Sequence, residues 1–209
     1  LWANKMRSAL TVLGVVIGLG FGMATATALP DDFVSVVDVP WTSLLIVLVL
    51  SALLGAATVL FIFLFLRELL PGTPWAAPVG ALAVAFQPMF GFMSGGVNSD
   101  DLLYTAAASI FLAFAVSFRR GLTVPRGVWI GASGAVAVLA KIPALGLLPG
   151  IALGLLLLVG AARPADRREA IRSALAATLT ILLPLLGYML LNSAVWDRGL
   201  YLGETSGKD

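Results

Sequence analysis

The sequence contains no cysteine and no histidine, and only 11% of its residues are charged. Without thiols and imidazoles it can form no disulfide, no cysteine nucleophile, no Ser-His-Asp triad and no metal site built on those ligands. Hydrophobic residues make up 60% of the 209 residues, whereas soluble domains are about half apolar and about a quarter charged. The chain is therefore predicted to be an integral membrane protein.

Two further absences narrow the function. No basic stretch carries the interleaved aromatic residues of a nucleic-acid surface, so we expect no nucleic-acid partner. No Walker A pattern is present, so the chain is not expected to be an ATPase itself. The partner that the composition does indicate is the lipid bilayer.

Long apolar segments define the predicted helices, because a helix needs about 20 apolar residues to cross a hydrocarbon core of about 30 Å. These segments lack the alternation of barrel strands, so the predicted fold class is all-α: a polytopic transmembrane bundle of about seven helices. The longest apolar stretch is interrupted at Lys141, Pro143 and Pro149, and is therefore divided into two short helices that meet near Lys141. The predicted helices are residues 10–29, 41–66, 75–93, 102–118, 128–140, 144–159 and 171–191.

The distribution of charges predicts the orientation of the chain. With a cytoplasmic N-terminus, ten of the 13 basic residues and three of the 11 acidic residues fall in the inner segments. The remaining acidic residues then lie on the outer side. The arginines of the RPADRRE loop are interpreted as orientation signals and as contacts for lipid headgroups.

Residues 1–30 are predicted to form an N-terminal transmembrane helix with a basic lead-in, and residues 31–209 a helical core. Gly14, Gly18 and Gly22 are spaced as in a stripe for helix packing. The same segment ends in ATATA, which alternatively fits a signal peptide with its cleavage site. Both interpretations place the start of the second helix outside.

The stretch FMSGGVNSDD places Asn98, Asp100 and Asp101 at the predicted outer end of two helices. One interpretation is structural, because Ser99 is a suitable N-cap and two aspartates in a first turn complement the helix dipole. The alternative is functional, with these groups serving as a base, as metal ligands or as hydrogen-bond acceptors for a sugar. Asp31 and Asp32 form a second outer acidic pair just after the first helix, and for it the structural alternative is a solvated turn in which Pro30 precedes the acids.

Lys141 is the most informative charge, since it lies between two apolar runs at a predicted helix break. An ionisable group in such a place is costly and indicates function, and free amides beside it would form an anion site for a lipid phosphate. The alternative is that Lys141 extends to the membrane interface. Gln87, followed by Pro88, is expected either to kink its helix and offer an amide to a ligand or to bond a neighbouring helix.

Several of these motifs also occur in a known group of enzymes. Pro88 to Asp101 is similar to its P-x-F…VN-x-D segment, and Leu139-Ala140-Lys141 to its L-x-K between short helices. The stretch from Gly187 to Tyr201 is similar to its W-Y-x-R-N…L-Y-G, with Leu191 in place of the usual Arg. On these motifs residues 41–205 resemble the core of GT-C type polytopic membrane glycosyltransferases, in a bacterial branch of predicted membrane proteins.

The resemblance implies a bacterial inner-membrane protein that transfers a sugar from a polyprenyl-phosphate donor on the extracytoplasmic face. Asp31 and Asp32 match the position of a P-D-E motif and are the expected catalytic bases. Lys141 would bind the donor phosphate, and the acidic stretch would orient the sugar or hold a divalent cation, Mg²⁺ or Mn²⁺. The outer loop after the first helix is shorter than in the group, and the chain is expected to be a fragment.

A second resemblance concerns the first 20 residues, LWANKMRSALTVLGVVIGLG, which are similar to the start of MacB-like ABC exporter permeases. It leaves open an alternative function, the permease subunit of an ABC-type transporter with a separate ATPase partner. A third hypothesis is a membrane protein fragment without catalytic activity.

Overall fold

The computed structural model of the protein describes residues 41–96 and 100–196. All regular structure in these ranges is helical, so the predicted all-α fold is confirmed. The predicted first helix, residues 10–29, lies outside the described residues. The elements are α1 (Trp41–Leu69), α2 (Ala76–Ala85), α3 (Pro88–Ser94), α4 (Asp100–Arg120), α5 (Val124–Ala140), a 3-10 helix (Ile142–Leu147), α6 (Leu148–Ala161) and α7 (Arg167–Trp196).

Four helical stretches of the described chain are long and apolar enough to cross a membrane, and α2 and α3 taken together add a fifth. Helix α5 is apolar but has 17 residues, slightly fewer than the roughly 20 that a span needs. Large apolar side chains remain exposed along these helices, such as Leu156 and Leu183 at 69% and 64%. Such surfaces suit lipid, and the chain is a multi-pass membrane protein. The four stretches are Leu45–Leu69, Asp100–Arg120, Pro143–Ala161 and Arg167–Leu191.

The segment 75–93, predicted as one helix, consists of two helices bent by 66°. Pro88 has no backbone N–H to continue the helix, and a proline disfavours the helical conformation in the residue before it. Gln87 accordingly has an extended backbone with φ −69° and ψ 119°. Its N–H donates to the carbonyl oxygen of Val84 at 3.1 Å. The single helix was therefore wrong, and the kink considered at Gln87-Pro88 is confirmed.

The predicted helix break near Lys141 is also confirmed. Helix α5 ends at Ala140, and Lys141 is extended with φ −159° and ψ 134°. The chain then continues as a 3-10 helix to Leu147 before α6 begins, so the second helix starts later than the predicted residue 144. Pro143 and Pro149 are the second residues of the 3-10 helix and of α6, within the first turn where a missing N–H costs no hydrogen bond.

The chain divides into two compact units, residues 1–112 and 113–209. In the first unit α1 packs against α2 and α3, and in the second α5 packs along α7. Helices α5 and α7 approach each other closely at Gly131. A Cβ at this position would lie 2.5 Å from the carbonyl oxygen of Ala177. Ala177 and Ser173 are fully buried on the facing side of α7. Small residues allow two helix backbones to approach in this way in a membrane.

The turn between α4 and α5 has its own cap. Gly121 follows the end of α4 with φ +84°, a left-handed conformation that glycine adopts without a steric penalty. The Arg126 guanidinium donates hydrogen bonds to the carbonyl oxygens of Arg120, at 2.9 Å, and Gly121, at 2.5 Å. A cation at the C-terminal end of a helix also complements the helix dipole.

We expect Gly131→Ala to destabilise the second unit, because its new methyl group would collide with the backbone of Ala177. Overpacking of this kind costs about 1–3 kcal/mol. The matched control is Gly187→Ala in α7, where a Cβ would meet nothing within 4 Å. Thermal unfolding in detergent should show a lower Tm for Gly131→Ala and an unchanged or higher Tm for Gly187→Ala. Equal Tm values for the two variants would contradict the close contact of α5 and α7.

Candidate functional site

Gln87 lies at the bend between α2 and α3, in the wall of a cavity of about 380 Å³. Its side chain is exposed, and its backbone carbonyl accepts a hydrogen bond from the N–H of Gly91 at 3.0 Å. The Gln87 amide is therefore exposed at the point where α2 has ended and α3 has not yet begun. The offer of this amide to a ligand stays a prediction.

The cavity is mainly apolar, is open on one side and is lined by residues of α1, α2, α3 and α4. Phe90 and Tyr104 both line it and have ring centroids 6.3 Å apart, and Phe111 packs against Phe65 with centroids 6.1 Å apart. A cavity of this kind suits an apolar ligand, and its few polar groups would orient that ligand. The lining residues are Thr58, Ile62, Val84, Gln87, Met89, Phe90, Tyr104, Ala107, Ala108 and Phe111.

Asp101 is fully buried in the first turn of α4. Its Oδ1 accepts a hydrogen bond from the hydroxyl of Ser94, the last residue of α3, at 3.1 Å. Ser51 of α1 is a second hydrogen-bonding neighbour of the carboxyl group. The Asp101 side chain thus connects three helices at one point.

The second oxygen, Oδ2 of Asp101, is buried and has no hydrogen-bond partner among the described residues. Such an unpartnered oxygen costs about 1–3 kcal/mol. Buried polar groups without partners are uncommon in folded proteins and call for an explanation. The carboxyl group therefore marks this place as a candidate functional site, and it will be called the Asp101 cluster together with Ser51 and Ser94.

Gly55 makes the Asp101 cluster possible. A Cβ built on Gly55 would lie 2.7 Å from both the Cβ and the Oγ of Ser94. The end of α3 can therefore approach α1 only because position 55 has no side chain. Gly55 follows Ser51 by one helical turn on the same face of α1.

Two threonines continue this polar contact along α1 and α4. The hydroxyl oxygens of Thr58 and Thr105 are 2.9 Å apart. Thr105 Oγ1 lies 2.7 Å from the carbonyl oxygen of Asp101 and 2.8 Å from that of Leu54. Because Thr58 also lines the cavity, the polar contact reaches from the Asp101 cluster to the cavity wall.

The remaining predicted site residues divide into two groups. Asp100 is buried at 8% exposure beside Asp101 in the first turn of α4. Lys141 is half-buried at the break after α5. Its N–H donates to the carbonyl oxygen of Ala137 at 3.2 Å, and its own carbonyl accepts from Ala144 at 3.0 Å. Asp31, Asp32 and Asn98 lie outside the described residues.

Sequence reasoning missed Ser51, Gly55, Ser94, Thr58 and Thr105. The available signal was the spacing of 51, 55 and 58 on one face of α1, which is typical of small-residue helix packing. That pattern does not reveal the partner helix. The Asp101 cluster depends on residues from three separate segments.

The divalent cation considered from the sequence finds no complete set of ligands among the described residues. No group of three or more His, Cys, Asp or Glu side chains in residues 41–96 and 100–196 could hold a metal ion. No cation is therefore assigned a role in the proposed reaction.

Apolar spanning helices, proline breaks and polar groups at the helix ends define the class as a multi-pass helical membrane protein. A family model described as dolichyl-phosphate-mannose-protein mannosyltransferase matches residues 39–190. The chain therefore belongs to this family, which is of the GT-C type. The resemblance to membrane glycosyltransferases is thereby confirmed. No curated protein and no solved structure matches the chain.

We expect Gly55→Ala to disrupt the Asp101 cluster without altering any of its hydrogen-bonding groups. The new methyl group would displace Ser94 and break its bond to Asp101, which should lower stability by about 1–3 kcal/mol. The control is Gly91→Ala in α3, where a Cβ would meet nothing within 4 Å. Thermal unfolding should separate the two variants, and a wild-type Tm for Gly55→Ala would argue against the close approach of α1 and α3.

Proposed function

We infer that the protein transfers a sugar from a polyprenyl-phosphate donor to an acceptor hydroxyl on the extracytoplasmic face of a bacterial cytoplasmic membrane. In this proposal the N-terminus is cytoplasmic. The observation that carries the proposal is the family match over residues 39–190. That range includes Gln87, Asp100, Asp101 and Lys141, the described residues that the sequence singled out.

The proposed reaction is a substitution at the anomeric carbon of the sugar. The acceptor oxygen forms a bond to this carbon as the bond between the carbon and the phosphate oxygen breaks. The electron pair of the broken bond leaves with the polyprenyl phosphate, and the acceptor proton passes to a base. Asp31 or Asp32 is the proposed base, on the resemblance of this pair to the P-D-E motif.

Lys141 is proposed to bind the donor phosphate. Support comes from its position at a helix break, where it is half-buried rather than fully solvated. An ammonium group there would stabilise the negative charge that grows on the leaving phosphate as the bond breaks. Interactions that strengthen in the transition state accelerate the reaction.

The sugar is proposed to be oriented by Asn98, Asp100 and the amide of Gln87. Asp101 is fully buried, so a positioning role suits it better than direct contact with a sugar. By bonding Ser94 it would hold the end of α3 against the start of α4. In the sequence, Asn98 falls between these two helices.

The cavity beside Gln87 is proposed to take an apolar part of the donor. Its walls are built mainly from aromatic and aliphatic side chains, and Thr58, Gln87 and Tyr104 supply polar groups. A polyprenyl chain is apolar along its length and carries its polar group at one end. The cavity and the donor therefore match in polarity.

Lys141→Ala is expected to lower the transfer rate about a hundredfold or more, as loss of one group that stabilises transition-state charge typically does. Lys141→Arg keeps the charge and should retain part of the activity. The measurement is transfer of radiolabelled sugar from polyprenyl-phosphate donors by the purified chain in lipid vesicles. Arg163→Ala, which removes an exposed arginine from the turn before α7, is the control and should behave like the wild type.

Two results would count against these assignments. A folded wild-type protein that transfers sugar from no polyprenyl-phosphate donor would refute the proposed function itself. Full turnover by folded Lys141→Ala would refute only the role of Lys141.

Ala107→Phe is expected to fill the cavity and to weaken binding of a long-chain donor. We expect KM to rise about tenfold or more with kcat little changed, since the change removes binding rather than chemistry. A water-soluble donor with a short chain should be unaffected. Ala83→Phe places the same side chain at an exposed position of α2 and serves as the control. An unchanged KM for the long-chain donor in Ala107→Phe would exclude the cavity as its binding place.

A further inference from the structure

Helix α7 has two opposite faces of different chemistry. One face packs in the protein interior and consists of Ala170, Ser173, Ala177 and Ile181, which are 2%, 0%, 0% and 5% exposed. With about 3.6 residues per turn, the opposite face consists of Arg168, Arg172, Leu175 and Leu179. This second set will be called the Arg168–Leu179 face.

The Arg168–Leu179 face is exposed along its whole length. Leu175 and Leu179 are 58% and 54% exposed, and both arginines are exposed as well. The helix is a candidate membrane span from Arg167 to Leu191. The leucines therefore lie within a span, and the arginines lie at its end.

The two arginines are spaced to act on one anion. Residues four apart on a helix have Cβ atoms about 5–6 Å from each other, and a guanidinium group donates to a phosphate through two parallel N–H bonds. Leu175 lies about 10 Å further along the helix from Arg168. A ligand that covers the whole face must carry an anion at one end and hydrocarbon below it.

Two acidic residues lie nearby, and neither belongs to the Arg168–Leu179 face. Asp166 precedes the helix, and its backbone N–H donates to the carbonyl oxygen of Arg163 at 2.9 Å. Glu169 is exposed and lies about 100° around the helix from Arg168 and about 60° from Arg172. It is therefore a neighbour of Arg172, but the two exposed side chains meet in solvent, where such a pair contributes only about 0–1 kcal/mol. The Arg168–Leu179 face itself carries two positive charges and no negative charge.

We propose that the Arg168–Leu179 face is a binding site for an anionic phospholipid. The two guanidinium groups bind its phosphate, and one acyl chain lies along Leu175 and Leu179. The charge of the arginines selects an anionic headgroup, and the exposed leucines select a ligand with a hydrocarbon chain over a soluble anion. This site is independent of sugar transfer, since it involves none of the residues proposed for the reaction.

The test compares thermal stability of the full chain in nanodiscs of phosphatidylcholine alone and of phosphatidylcholine with phosphatidylglycerol. Wild-type protein should gain Tm in the anionic discs. The variant Arg168→Gln/Arg172→Gln should lose at least half of this gain. The control Arg163→Gln/Arg167→Gln removes the same charge from the segment where α7 begins but leaves the face intact, so it should keep the gain.

Several outcomes would overturn the site. These are an undiminished gain in Arg168→Gln/Arg172→Gln, an equal loss in the control pair, or the same gain on adding inorganic phosphate to phosphatidylcholine discs. The last result would mean that a soluble anion suffices.

A second measurement uses only wild-type protein and does not depend on the folding of any variant. Photoreactive phosphatidylglycerol with its reactive group in the acyl chain should label peptides that contain Leu175 or Leu179. Labelling confined to other helices, or a native mass spectrum that shows a second protein copy and no retained lipid, would refute the proposal.

Discussion

Backbone groups freed at a helix break must find partners within the protein, because hydrocarbon offers none. This constraint governs both breaks in the described chain. At the first, the N–H of Gln87 turns to Val84, three residues back, and at the second the carbonyl of Lys141 is met by Ala144. The breaks are therefore ordered structures with their own hydrogen bonds. They are also the places where a side chain with an amide or an ammonium group can be held at a fixed position among apolar helices.

Close packing of small residues provides the second element of stability. Lipid tails are as apolar as leucine, so helices in a membrane associate through packing and hydrogen bonds rather than through the hydrophobic effect. In the first unit Gly55 admits Ser94, and in the second Gly131 admits the backbone of Ala177. The two contacts differ in chemistry. The first contains a buried carboxyl group with a free oxygen, whereas the second is formed by glycine, alanine and hydroxyl groups that bond their own helix.

The sequence predicted the apolar helices and the break at Lys141 because both depend on local features, namely segment length and proline position. It predicted one helix where Pro88 produces two, since a single proline in an apolar run is compatible with either a kink or a full break. The Asp101 cluster could not be predicted in the same way. Ser51 and Asp101 are far apart in the sequence. Hydropathy indicates which residues enter the membrane, but it does not indicate which helices contact each other there.

The capped turn at Gly121 has a consequence for biosynthesis. Arg126 bonds carbonyl groups only five and six residues before it, so this corner requires no other part of the chain. It can close as soon as the start of α5 has been synthesised, well before α7 is available to pack against it. A membrane insertase would then receive α4 and the beginning of α5 with the turn between them already shaped.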